Sequence, residues 1–236
     1  MTQAPVLSVR QLSKCFVLYH QNGTVLDVLN GIGLDVNAGE IAALTGPSGA
    51  GKSSLLKAIY GTYRVNSGSI VVRHDGIETD IATAPPRIVS ALRANTIGYV
   101  SQFLRVIPRV PALEIVADPA IEMGMDREAA MDRARELLTI LRIPDHLVSL
   151  SPLTFSGGEQ QRVNIARAVA APRPLMLFDE PTASLDPANR ETVLGLIASL
   201  RDAGTAVLGI FHDPADRKSL GARDIQIARA KELADA

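Results

Sequence analysis

The stretch "GPSGAGKS", Gly46–Ser53, fits the pattern G-x-x-x-x-G-K-[ST] in full. An apolar run, Ile41–Thr45, reads as a buried strand leading into it, and Lys52–Tyr60 reads as a helix ended by Gly61. Glycines let the backbone of Gly46, Pro47, Ser48, Gly49, Ala50 and Gly51 curl until successive N–H groups face phosphate oxygens. The helix N-terminus adds partial positive charge at the same place. Lys52 is then placed to reach terminal phosphates, the Ser53 hydroxyl to ligate Mg²⁺, and Ser54 to continue the first turn beside them. A Gly-rich turn without a ligand is the bland alternative. The strand before and the helix after argue against it.

A second half of the site follows at "LMLFDE", Leu175–Glu180. Four apolar residues read as a buried strand that delivers Asp179 to the carboxyl edge of a sheet, where open α/β sheets bind ligands. Asp179 is expected to hold Mg²⁺ through water, and Glu180 to act as the base that polarises an attacking water. Read alone, "DE" after a strand is a solvated turn; a phosphate loop upstream changes that.

The chain has 236 residues, 47% of them hydrophobic, and a formal net charge of −1. That suits one α/β core with a smaller attachment, and gives no general attraction to nucleic acid or anionic membrane. The single Cys15 makes no internal disulfide and reads as a small packed side chain. No basic-then-apolar leader and no apolar run of about 18–20 residues is present, so the expectation is a cytoplasmic protein without direct membrane insertion.

Further strands are expected at Val6–Leu12, Val28–Val36, Ser69–Arg73 and Ala206–Phe211, with a hairpin connection at Tyr19–Gly23. Between Phe103 and about Leu150 the pattern turns helical. "DREAAMDRARELLTILRIP" is the clearest case, with Asp126 at the cap, Met131, Ala134, Leu138 and Leu141 at helical spacing, and Pro144 closing it. A later helix starts at Asp186–Pro187, with Val193, Leu196, Ile197 and Leu200 on one face and Gly204 after it. The last strand, within "ARDIQIARAKELADA", is poorly defined. Strand–helix alternation implies a parallel sheet interrupted by an inserted helical part.

In "TFSGGEQQRVNIARAVA", Thr154–Ala170, Ser156 and Glu159 have capping-box spacing, so a helix starts there with Val163, Ala166 and Val169 or Ala170 inward. Two glycines at its start, Gly157 and Gly158, leave bare N–H groups. A capped structural helix and a second phosphate-binding helix end both fit.

At this point the sequence resembles the ABC ATPase family. "FSGGEQQR" is similar to its LSGGQ-type signature, and "LFDEPTASLD", Leu177–Asp186, to its Walker B plus D-loop. The resemblance implies a P-loop NTPase (RecA-like) core with an antiparallel β subdomain and an inserted α-helical subdomain. The core would span 1–102 and 167–236 and the helical subdomain 103–166. It also implies roles for three more residues. Gln102 in "YVSQ" becomes a catalytic and metal-holding glutamine, His212 in "GIFHD" the switch histidine, and Phe16 in "LSKCF" the aromatic that stacks on adenine. Two such subunits, in a homodimer or a heterodimer, would sandwich two ATP molecules. Each nucleotide would be held by Gly46–Ser53 of one chain and by Ser156, Gly157, Gly158 and Glu159 of the other. Phe155 and Glu159 stand where the family most often has Leu and Gln.

Four segments suggest a closer resemblance. "YHQNG", "SQFLRVIPRVPALEIV" (Ser101–Val116), "TFSGGEQQRVNIAR" and "GIFHD" are similar to the L subunit of the phosphonate carbon–phosphorus lyase system. That implies a soluble lyase core complex as partner. The alternative is an ATPase of the lipoprotein-release or macrolide-efflux type, with an integral membrane permease as partner. A DNA-repair ABC ATPase is remote, because such proteins carry a large coiled-coil or zinc insertion. Phe103, Leu104, Val106, Ile107 and Pro108, interrupted by Arg105 and Arg109, form the stretch where a family member docks its partner.

Overall fold

The computed structural model describes residues 4–18, 20, 23–102, 104 and 108–230. The connection expected at Tyr19–Gly23 and the docking residues Phe103, Arg105, Val106 and Ile107 therefore fall largely outside the described residues.

Two sheets form the frame. β1 (Leu7–Leu18), β2 (Thr24–Val36), β4 (Ser67–His74) and β5 (Ile77–Asp80) make an antiparallel sheet in the order β2-β1-β4-β5. β3 (Ile41–Thr45), β6 (Ile97–Val100), β7 (Leu175–Asp179), β8 (Ala206–Ile210) and β9 (Arg223–Gln226) make a parallel one in the order β6-β7-β8-β3-β9. The helices are α1 (Lys52–Ile59), α2 (Pro86–Asn95), α3 (Ala112–Glu122), α4 (Arg127–Ile140), α5 (Asp145–Val148), α6 (Gly157–Ala170), α7 (Pro187–Asp202) and α8 (Pro214–Ser219).

The central strands β3, β7 and β8 of the parallel sheet are covered on both faces, which is why they read as continuous apolar runs rather than alternating ones. Successive side chains still point opposite ways. Ile41, Ala43, Met176 and Phe178 enter a core shared with α3, α4, α6 and α7. Ala42, Leu44, Leu175 and Leu177 enter a second core with α1 and the antiparallel sheet. β7 is buried at all five positions and so is β8. The apolar grip on β7 fixes where Asp179 and Glu180 emerge.

Helices α3, α4 and α6 pack on one another through Val116, Ala134, Leu137, Val163 and Ala166, all fully buried. α4 begins at the expected cap: the Asp126 carboxylate accepts from the N–H groups of Glu128 and Ala129. α6 begins with a complete capping box and runs unbroken through residue 166, so one helix serves both the helical part and the core. β1 extends past Leu12 because a bulge interrupts the alternation: Gln11 has φ 46 and the pairing register shifts between Val9 and Leu12.

Leu137→Ala, at a fully buried position between these helices, is expected to cost about 2–5 kcal/mol in chemical denaturation. Asp126→Ala is expected to cost about 1 kcal/mol, the usual worth of one N-cap. Equal costs would show that the helical part is not packed as a core.

Candidate functional site

The loop Gly46–Ser53 joins the end of β3 to α1 and is enclosed from two sides. Gly51 sits in the left-handed region at φ 88, and a Cβ there would meet the Val28 carbonyl at 2.6 Å. Only glycine lets β2 lie this close. From the other side Ile227 N–H donates to Thr45 O at 2.8 Å, and Arg229 Nη2 donates to Ser48 O at 2.9 Å. No side chain caps α1 at Gly51.

Lys52 Nζ donates to the carbonyls of Gly46 at 2.8 Å and Pro47 at 2.9 Å, which holds the ammonium over the loop. Burial pushes this ammonium below the ordinary lysine range, and the charge of Glu180 opposes that shift. Ser53 Oγ donates to Asp179 Oδ1 at 2.8 Å, joining the phosphate loop to the end of β7. Asp179 is buried, and its second oxygen, Oδ2, accepts from the Tyr99 hydroxyl at 2.9 Å. Burial, and then the charge of Asp179, raises the Tyr99 pKa well beyond its usual value, so the phenol stays a donor.

Glu180 lies in the left-handed region at φ 55, a conformation that costs a non-glycine residue free energy and that turns its carboxylate out of the strand direction. Its Oε1 is 2.7 Å from His212 Nε2, and its Oε2 accepts from Gln102 Nε2 at 3.3 Å. Three residues picked out separately in the sequence thus meet on one carboxylate. Gln102 is anchored through its neighbour: Asn164 Nδ2, from α6, donates to Ser101 O at 2.7 Å.

The remaining residues are placed elsewhere. Ser156 and Glu159 are engaged with each other: Ser156 N–H donates to Glu159 Oε2 at 2.8 Å and Ser156 Oγ at 2.7 Å, and these bonds hold the Glu159 carboxyl below its usual range. Gly158 packs against the D-loop of its own chain, where a Cβ would lie 3.1 Å from Ser184 O. Phe16 stands on β1, edge-on to Tyr63 with ring centroids 5.2 Å apart, and Lys14 Nζ lies 4.6 Å from its ring centre. Its strand is tied to the phosphate loop through β2: Lys14 pairs with Leu29, and β2 is packed on Gly51.

Sequence reasoning missed a bracing network behind His212. Asp216 on α8 is buried and accepts from Thr182 Oγ1 at 3.0 Å and from Arg190 Nε at 2.7 Å. Arg190 also pairs with Asp213, the residue after His212. Arg217 Nη1 donates to Phe211 O at 3.0 Å and His212 O at 3.2 Å. These partners lie on separate elements with no shared spacing, so no sequence pattern joins them.

The donor set suits a magnesium ion. Ser53, Asp179 and Gln102 offer hard oxygen atoms, and no group of three or more His, Cys, Asp and Glu is gathered among the described residues. Magnesium favours such a site, with one or two protein oxygens and the rest supplied by water and phosphate.

The chain matches the ABC transporter model over residues 29–183. It belongs to the ABC transporter family. It is 40% identical to the lipoprotein-releasing system ATP-binding protein LolD 2 of Caulobacter vibrioides, over 89% of each chain. It is 41% identical to an uncharacterized ABC transporter ATP-binding protein of Mycobacterium tuberculosis and 35% identical to the macrolide export ATP-binding/permease protein MacB of Escherichia coli. It spans only 60% of the mycobacterial relative and 31% of MacB. Among solved structures, a dimer of the ATP-binding cassette MJ0796 bound to ADP and Pi superimposes with TM-score 0.84 at 29% identity, covering 95% of this chain and 96% of that one. The fold is that of an ABC cassette: a P-loop core, an antiparallel β part and an inserted helical part. As an ABC ATPase it takes ATP with Mg²⁺.

Lys52→Ala is expected to weaken ATP binding at least about tenfold in a fluorescent-nucleotide titration, because a charge-assisted contact is worth roughly 1.5–3 kcal/mol. Unchanged affinity would remove Lys52 from the phosphate site.

Proposed function

We propose that this chain is the ATPase subunit of a membrane ABC exporter of the lipoprotein-release or macrolide-efflux type. One observation carries the reading: LolD 2 matches at 40% identity over 89% of its own length as well as of this chain. MacB, whose name joins ATP-binding and permease parts, matches over the share a cassette would occupy. The relatives thus favour the permease-partnered reading over the carbon–phosphorus lyase expected from four sequence segments. Part of the most telling segment, Ser101–Val116, lies outside the described residues. No helix among the described residues is long and apolar enough to cross a membrane, so in this reading the transport path belongs to a partner.

In the cycle, the backbone of Gly46–Ser53 cradles the phosphates and Lys52 meets their terminal charge. Ser53, Asp179 and Gln102 would hold Mg²⁺, which would supply positive charge against the phosphates. Glu180 orients and polarises the attacking water. His212 and Gln102 fix both oxygens of that carboxylate, so it acts without first reorganising. The signature residues Ser156, Gly157 and Gly158 close on the nucleotide of a second cassette, with Glu159 locked in the cap beneath them. Phe16 and Tyr63 offer the aromatic surface for adenine. Hydrolysis removes the phosphate that joins the two chains, and the dimer reopens.

Glu180→Gln is expected to keep ATP binding, to lower turnover by about 10²–10⁴-fold and to accumulate a dimer on size exclusion with Mg-ATP. Tagged and purified from detergent-solubilised cells of its host, that variant should bring down an integral permease. Recovery of soluble phosphonate-degrading subunits instead would restore the lyase reading and end this one.

A further inference from the structure

The Tyr99 hydroxyl has a place in the site that the family motifs do not assign to it. Asp179 is 3% exposed, and a buried carboxylate is costly unless both oxygens are bonded. Ser53 Oγ takes Oδ1, and the Tyr99 hydroxyl takes Oδ2. Tyr99 comes from the neighbouring strand: β6 runs parallel to β7, with Tyr99 opposite Leu177, and its side chain reaches along to the end of β7.

The ring cannot swing away freely. It stacks on Tyr60 with centroids 5.0 Å apart and planes at 28°. Tyr60 is held in turn by Arg93, whose guanidinium lies 4.8 Å from the ring centre and whose Nε donates to Tyr60 O at 2.8 Å. Tyr60 also caps the C-terminus of α1, the helix that carries Lys52 and Ser53 at its other end. One short helix therefore supplies Ser53 to the first oxygen of Asp179 and, through the Tyr60 ring, steadies the phenol that holds the second. Tyr60, Tyr99, Ser53, Gln102 and Asp179 all line one groove of about 570 Å³, so the metal end of the site opens onto this stack.

We propose that Tyr99 is a positioning residue for the divalent cation: its hydroxyl fixes the plane of the Asp179 carboxylate so that Oδ1 stays on Ser53 and toward the ion. If the ring served only to fill space, phenylalanine would do as well, because it keeps the stack and loses only the donor. The inference rests on Asp179 being a metal-holding residue.

The test uses the full chain with a non-hydrolysable ATP analogue and Mn²⁺ as the probe, read by electron paramagnetic resonance of the free ion. Nucleotide affinity is measured separately in EDTA. Tyr99→Phe is expected to weaken Mn²⁺ binding about tenfold, the usual scale for loss of an outer-shell partner, and to leave nucleotide affinity in EDTA unchanged. Wild-type Mn²⁺ affinity in Tyr99→Phe, with Asp179→Asn clearly weakened, would overturn the role of Tyr99 alone. Wild-type affinity in Asp179→Asn would overturn the metal assignment and this inference with it. Equal losses with and without metal in Tyr99→Phe would also overturn it, since the hydroxyl would then serve the nucleotide pocket as a whole.

Discussion

The 2.8 Å hydrogen bond from Ser53 to Asp179 joins residues 126 positions apart, and the working geometry hangs from it. It ties the loop that follows β3 to the end of β7. Neither end is free to adjust. Ser53 is the second residue of α1, whose inner face is buried through Leu55, Leu56 and Ile59. Asp179 ends a strand buried at every position. The bond thus sits between two rigid elements and sets the spacing between phosphate and metal groups. Glu180, one residue on, inherits that placement and adds the turn of its own unusual backbone. Close packing makes such a spacing hard to deform.

Around this bond the chemistry is layered. The carboxylate of Glu180 is held by two side chains, and those are held by others. Gln102 follows Ser101, whose carbonyl is taken by Asn164 of α6; His212 sits on a backbone clamped by Arg217 and flanked by the Arg190–Asp213 pair. Asp216 then bonds both Arg190 and Thr182 of the D-loop, and Gly158 of α6 lies close to the D-loop at Ser184. A change at the start of α6 is therefore only a few contacts from Glu180.

Much of this was legible in the sequence for a physical reason: a phosphate loop and a strand buried on both faces are local features. β3 and β7 fall where their apolar runs place them, and the caps at Asp126, Ser156 and Asp186, of which Ser156 makes a capping box, appear where the spacing puts them. α2 was not foreseen because it is short and buries no residue fully, its Val89 and Leu92 only partly covered against the core. β9 was vague because it is an edge strand with only Ile225 partly covered. The bulge at Gln11 hid the second half of β1 by breaking the alternation. Within the site, residues that act through their own motif could be read, whereas Tyr99, Arg190 and Asp216 act across elements. The kind of system served by the cassette was harder to read, since three of the four segments that suggested phosphonate breakdown carry Gln102, Ser156 or His212 and so belong to the catalytic frame itself, and the relatives favour the permease-partnered alternative.

The strand order carries a last implication, for how the protein comes into being. β3, which bears the phosphate loop, is flanked in the sheet by β8 and β9, both from the end of the chain, and the same late region supplies Ile227 and Arg229 to the loop itself. During synthesis the loop leaves the ribosome long before either neighbour exists, so β3 must wait as an unpaired apolar segment. A nascent chain lacking its last strands has the whole motif and no finished cradle. Nucleotide bound in the finished cradle would favour the folded state by mass action.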